Sequence, residues 1–172
     1  SVLGGPHPTF FPQMINKKGV DAVCRGEGEE ALAEFVKFVD AYKELPQDIK
    51  NFWIKKGDKV FTNPLHPLID NLDVLPYPDH KLFLDRFPIL RIFKRKEFIA
   101  HRGCPYMCSY CFNPEYNRIY QNNGRIYRSR DPLKVCEEIN RLKAYCDLKF
   151  VHFVDDVFTL DIKWLREFSN IY

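Results

Sequence analysis

Apolar positions recur with two periods along the 172-residue chain, and their alternation sets the first expectation of architecture. Val2-Leu3 runs into Gly4-Gly5-Pro6, a turn, and Thr9 to Lys17 then reads as a short helix. Val20-Asp21-Ala22-Val23-Cys24 is a β-rich run that stops at Gly26-Glu27-Gly28. Leu32, Phe35, Val36, Val39 and Tyr42 follow at helical spacing. Strand, glycine turn and helix, repeated, predict that residues 1–44 are the end of a doubly wound α/β domain with a parallel sheet. Ligands of such folds sit beyond the carboxyl ends of the strands, where both glycine turns fall.

Residues 45–95 read as a linker with a small hairpin. Phe52-Trp53-Ile54 and Val60-Phe61-Thr62 flank Lys56-Gly57-Asp58, and Pro64, Pro67, Pro76, Pro78 and Pro88 then interrupt any helix. A second α/β unit is predicted over 96–172. Glu97 to Ala100 is a short strand, Asp131-Pro132 opens a helix with the stripe Leu133, Cys136, Ile139, Leu142 and Cys146, and Lys149 to Val154 is the next strand. Asp161 caps a last helix with Ile162, Leu165 and Phe168 inward. Two β-α units in series are the opening of a partial barrel, so the chain is expected to be a fragment of a longer protein.

Hydrophobic residues at 45% and charged residues at 28% fit a folded, soluble chain, and no run approaches the roughly 20 apolar residues of a membrane span. The formal charge is only +3, but residues 81–130 carry eleven Lys and Arg against Asp85, Glu97 and Glu115, a local excess of +8 that leaves −5 elsewhere. Such a stretch could bind nucleic acid or surround an anionic cofactor. Six cysteines are present, and their crowding at one place speaks against a disulfide framework and for metal in a reducing compartment, the cytoplasm.

That crowding is Cys104-Pro-Tyr-Met-Cys108-Ser-Tyr-Cys111. Three thiolates on one tight loop can hold three irons of a [4Fe-4S] cluster and leave the fourth open to a substrate or cofactor. A structural zinc site with His101 or His152 as fourth ligand is the competing reading, and it would make the basic stretch a zinc-stabilised nucleic-acid-binding module. Gly103 and Pro105 shape the loop, while Cys24, Cys136 and Cys146 read as buried small hydrophobes.

With Tyr110 just before its third cysteine, the triplet resembles the signature of radical S-adenosylmethionine (SAM) enzymes. Gly4-Gly5-Pro6-His7-Pro8-Thr9 and Gly26-Glu27-Gly28-Glu29 look like late loops of a cobalamin (B12)-binding domain, and Leu72-Asp73-Val74-Leu75-Pro76-Tyr77-Pro78 looks like the linker to the barrel. Tyr127-Arg128-Ser129-Arg130 and Phe153-Val154-Asp155-Asp156-Val157-Phe158 are also similar to that subgroup. Nearly the whole chain thus resembles radical SAM enzymes with an N-terminal B12-binding domain. The implied fold is the end of a flavodoxin- or Rossmann-like domain, a linker, and the first β-α units of a TIM-type radical SAM barrel.

The resemblance implies an enzyme that reductively cleaves SAM at a [4Fe-4S] cluster held by Cys104, Cys108 and Cys111, giving a 5′-deoxyadenosyl radical for methyl transfer or carbon-skeleton chemistry. It implies Tyr110 near the adenine, Asp155, Asp156 and Arg128 near SAM, and Gly4, Gly5, Gly26 and Gly28 against cobalamin, with Arg102 and Arg130 as further cations near the cluster. His7 is expected to pack in its turn. The implied partners are a small-molecule substrate and a one-electron donor such as flavodoxin or ferredoxin, not nucleic acid. A tRNA methylthiotransferase is the alternative within the class, but that family places three further cysteines before the triplet, where only Cys24 stands. The more N-terminal cobalamin elements and the later barrel strands are absent, so the piece alone is expected to be inactive.

Overall fold

β-rich runs at the start of the chain pair as neighbours across a helical crossover. In the computed structural model, which describes residues 1–172, β1 (Val2–Leu3) lies parallel to β2 (Ala22–Cys24), with Val2 opposite Ala22 and Leu3 opposite Val23. The helix expected over 9–17 is two pieces, α1 (Pro6–Phe10) and a 3₁₀ turn at Pro12–Asn16. The break falls at Phe11, because a residue before proline is pushed out of the helical region, here to φ −122° and ψ 61°.

Helix α2 (Glu29–Tyr42) follows β2 and ends at Lys43 in the left-handed conformation. Its inward stripe is Ala31, Phe35 and Val39, whereas Leu32, Val36 and Tyr42 are exposed. Phe35 and Val39 thus lie on the inward face that the period predicts, while Leu32, Val36 and Tyr42 do not. β3 (Phe52–Lys56) and β4 (Lys59–Thr62) form the expected hairpin around Gly57. They are not part of a free linker, however: β3 pairs antiparallel with β2, and the sheet order is β1-β2-β3-β4. The sheet is therefore mixed rather than wholly parallel. β2 is buried along its whole length and needs a partner on both edges, while Phe52 and Ile54 supply the apolar face, with Phe52 stacked on Phe35 at 4.6 Å.

Contacts divide the chain into Ser1–Leu68 and Ile69–Tyr172. The second unit begins with turns, α3 (His80–Arg86) capped by Asp79, and a 3₁₀ turn at Pro88–Arg91. β5 (Arg95–Phe98) and β6 (His101–Arg102) lead into the cysteine loop, and α4 (Asn113–Ile119), β7 (Arg128–Ser129) and α5 (Pro132–Tyr145) follow it. β8 (Phe150–Phe153) and α6 (Ile162–Ile171) complete the unit. β5 and β8 are parallel across this crossover, β6 and β7 are antiparallel, and the strands close no barrel.

α5 and α6 cover one side of the parallel pair. Phe98, Ala100, Val135, Ile139, Leu142, Trp164 and Phe168 form the core there. Asp131 accepts from the Leu133 amide and Asp161 from the Trp164 amide, as capping predicts. Two expected core positions differ: Leu133 and Ile162 are exposed, and Val135 and Trp164 take their places. Cys146 is half-buried at the end of the α5 stripe. No helix is long and apolar enough to cross a membrane.

Candidate functional site

In the first unit the glycine turns meet at the carboxyl ends of β1 and β2. Gly4 and Gly5 leave β1, with Gly5 at φ +96°, a conformation glycine adopts without strain. Gly26 and Gly28 leave β2. Buried Thr9 ties the two turns together: its hydroxyl donates to the Gly5 carbonyl at 2.8 Å and accepts from the Gly26 amide at 2.9 Å. Asn51 braces the far side, donating to the Glu27 carbonyl at 2.5 Å and accepting from the His66 amide at 2.6 Å.

Gly28 leaves its Cα only an ordinary contact from the Cys24 sulfur, at 3.4 Å from an added Cβ, so packing does not demand glycine there. Burial, helped by nearby Glu29, pushes the Cys24 thiol up to about 11, which keeps it protonated and inert. His7 is exposed with its ring 5.1 Å from that of Phe11. Thr9 and Asn51 carry no sequence signal of their own, since only the fold brings their partners to them.

The second unit carries the cysteines. Gly103, at φ +81°, is the hinge by which β6 enters the loop, and an added Cβ would lie 2.2 Å from the Ile126 carbonyl oxygen. Cys104 is buried, Cys108 exposed and Cys111 half-buried. The Cys111 amide donates to the Cys108 carbonyl at 3.1 Å, and Asn117 holds the Cys104 carbonyl at 2.9 Å. The Asn113 backbone and side-chain N–H groups point at the Cys111 sulfur at 3.5 and 3.6 Å.

Three thiols on one loop, one of them with N–H groups directed at it, are the donor set that suits an iron–sulfur cluster. No three His, Cys, Asp or Glu side chains converge to hold a single metal ion. Neither candidate fourth ligand for zinc stands with the thiols: His101 is committed to Asp155, and His152 lies on β8 facing Glu97 at 3.5 Å.

Tyr110 is 92% exposed, so it plays no part in packing. The Asp155 side chain is fully buried and accepts from the Ala100 amide, the His101 amide and the His101 ring, whereas Asp156 is exposed. Arg128 is buried and donates to the backbone carbonyls of Ile69, at 2.9 Å, and Ile126. Arg130 pairs with buried Glu138 at 2.6 Å, and His80 reaches the other oxygen of that carboxylate at 2.9 Å. Burial alone would raise the Glu138 carboxyl, but His80 and Arg130 outweigh it and hold the group below the ordinary range.

No protein-family model matches the chain. Its relatives by sequence include methyltransferases and magnesium-protoporphyrin IX monomethyl ester cyclases. The chain is 33% identical over 165 residues to an uncharacterized methyltransferase of Pyrococcus horikoshii, covering 94% of this chain and 34% of the relative. It is 32% identical over 175 residues to the anaerobic magnesium-protoporphyrin IX monomethyl ester cyclase of Cereibacter sphaeroides, covering 98% and 27%. The fold is shared with the radical SAM methyltransferase TsrM of Kitasatospora setae, solved with cobalamin and a [4Fe-4S] cluster bound: TM-score 0.66, 17% identity, 99% of this chain and 33% of that one. The chain thus spans about a third or less of the length of the proteins it matches.

Proposed function

We propose that this chain is the junction of a B12-dependent radical SAM enzyme, joining the end of the cobalamin-binding domain to the start of the radical SAM domain. The observation that carries the reading is the three-thiol loop at the end of β6, within a chain that aligns along nearly its full length with a methyltransferase by sequence and, by fold, with a radical SAM methyltransferase solved with cobalamin and a [4Fe-4S] cluster bound. Cys104, Cys108 and Cys111 would hold a [4Fe-4S] cluster, which when bound supplies one electron for the reductive cleavage of SAM. Exposed Tyr110 and Asp156 are free to meet the nucleotide, and Arg128 acts on that side by fixing the backbone at Ile126.

The braced glycine turns, Gly4 and Gly5 with Gly26 and Gly28, would lie against cobalamin. Methyl transfer to a small-molecule substrate, with a one-electron donor such as flavodoxin or ferredoxin in the cytoplasm, completes the proposal. The test is anaerobic reconstitution of the full-length protein with iron and sulfide. Wild type should take up about four irons per chain. Cys108→Ala should lose both the cluster and SAM cleavage, and 5′-deoxyadenosine formed by that variant would overturn the reading.

A further inference from the structure

β5 and β6 are separated by Ile99 and Ala100, and the gap is closed from both sides. On one side the Val154 amide donates to the Phe98 carbonyl at 3.0 Å, the last rung of the β5–β8 ladder, and the next residue is Asp155. Its carboxylate accepts the Ala100 amide at 3.1 Å, the His101 amide, and the His101 ring Nδ1 at 2.8 Å. On the other side the Arg130 amide donates to the Ala100 carbonyl at 2.9 Å, and His101 and Arg102 pair with Ser129 and Arg128. The His101 ring is stacked on Tyr127 with centroids 5.4 Å apart, and stands edge-on to Trp164 at 4.3 Å. Side-chain exposure is 1% for His101 and 0% for Asp155.

A carboxylate this deeply buried is stable only while its partners are in place, and losing either member strands the other. The pinned backbone ends at Gly103, whose φ of +81° a residue with a side chain would adopt only with strain, and Cys104 comes next. We infer that Asp155 and His101 are a positioning pair: they fix the backbone that aims Cys104, and so set how the thiol loop meets a cluster. The inference rests on the cluster reading above and assigns Asp155 to the loop entrance, leaving its exposed neighbour Asp156 for ligand contact. Partners that orient metal ligands commonly change metal retention ten- to hundredfold when removed.

The test uses the full-length protein and two variants, Asp155→Asn and His101→Phe, the second keeping an aromatic ring against Tyr127 and Trp164. Without iron, amide hydrogen exchange over 100–111 should quicken roughly tenfold in each variant and no further in the double variant. After anaerobic loading, iron release to a chelator should quicken about ten- to hundredfold, and the electron paramagnetic resonance spectrum of the reduced cluster should change. Wild-type exchange in both variants overturns the proposal, as does faster exchange with unchanged release and spectrum, which would reduce the pair to a structural contact. Wild-type protein that takes up no iron overturns the cluster reading itself, an outcome that the iron-free exchange separates from failure of the pair.

Discussion

The two loop clusters solve opposite problems. In the first unit, two glycine turns are locked by neutral hydrogen bonds from Thr9 and Asn51, and the glycines themselves leave room above the strand ends. In the second, the loop entrance is clamped by buried charged and aromatic groups, while Cys108 and Tyr110 stand open to solvent. A rigid backbone surface suits a bulky ligand that lies against it. A clamped entrance with an open rim suits ligands that must supply soft atoms to a metal. Where the turn at Gly5 has spare space, the loop entrance at Gly103 has none.

Gly103→Ala should break that contrast most severely. A Cβ 2.2 Å from a carbonyl oxygen at φ +81° cannot be absorbed by a side-chain shift, so urea unfolding of the second unit should lose about 3 kcal/mol or more.

Next comes Glu138→Ala, which strips the buried partner from Arg130 and His80 and should cost about 3 kcal/mol by the same measurement. The same carboxylate predicts a pH dependence. Its folded value lies below the unfolded one, so its contribution is complete above roughly pH 4.3 and is lost as the pH falls through the folded value. Acid titrations of stability should show that loss in wild type and a flatter curve for Glu138→Gln.

Thr9→Val should be the mildest, about 1 to 2 kcal/mol from the first unit, since it removes the bridge between Gly5 and Gly26 and keeps the shape. Equal costs for Gly103→Ala and Thr9→Val would erase the distinction between the two clusters.

What the sequence disclosed follows from the range of the forces involved. The cysteine loop, the caps at Asp131 and Asp161 and the hairpin at Gly57 are local, and all were legible in adjacent residues. The centres of the helix faces were legible, at Phe35, Ile139, Leu142 and Phe168, but their edges were not, because Leu32 and Ala31, or Leu133 and Val135, satisfy the same repeat until a sheet lies beneath one of them. The hairpin's place in the first sheet depended on β2 needing a second partner, a property of the assembled sheet. Asp155 with His101, and Glu138 with His80, lie tens of residues apart, and charged side chains are expected outside until their partners are known.

The chain's two tryptophans fall one to a unit, and their surroundings differ. Trp53 is half-buried on β3 beneath the Arg25 guanidinium at 5.5 Å, while Trp164 is enclosed, its indole N–H on the Arg130 carbonyl at 2.6 Å. Each half of the molecule therefore carries its own fluorophore, the enclosed one emitting further to the blue. Replacing either with phenylalanine would leave a single emitter, and the melting of one half could then be followed in light without interference from the other.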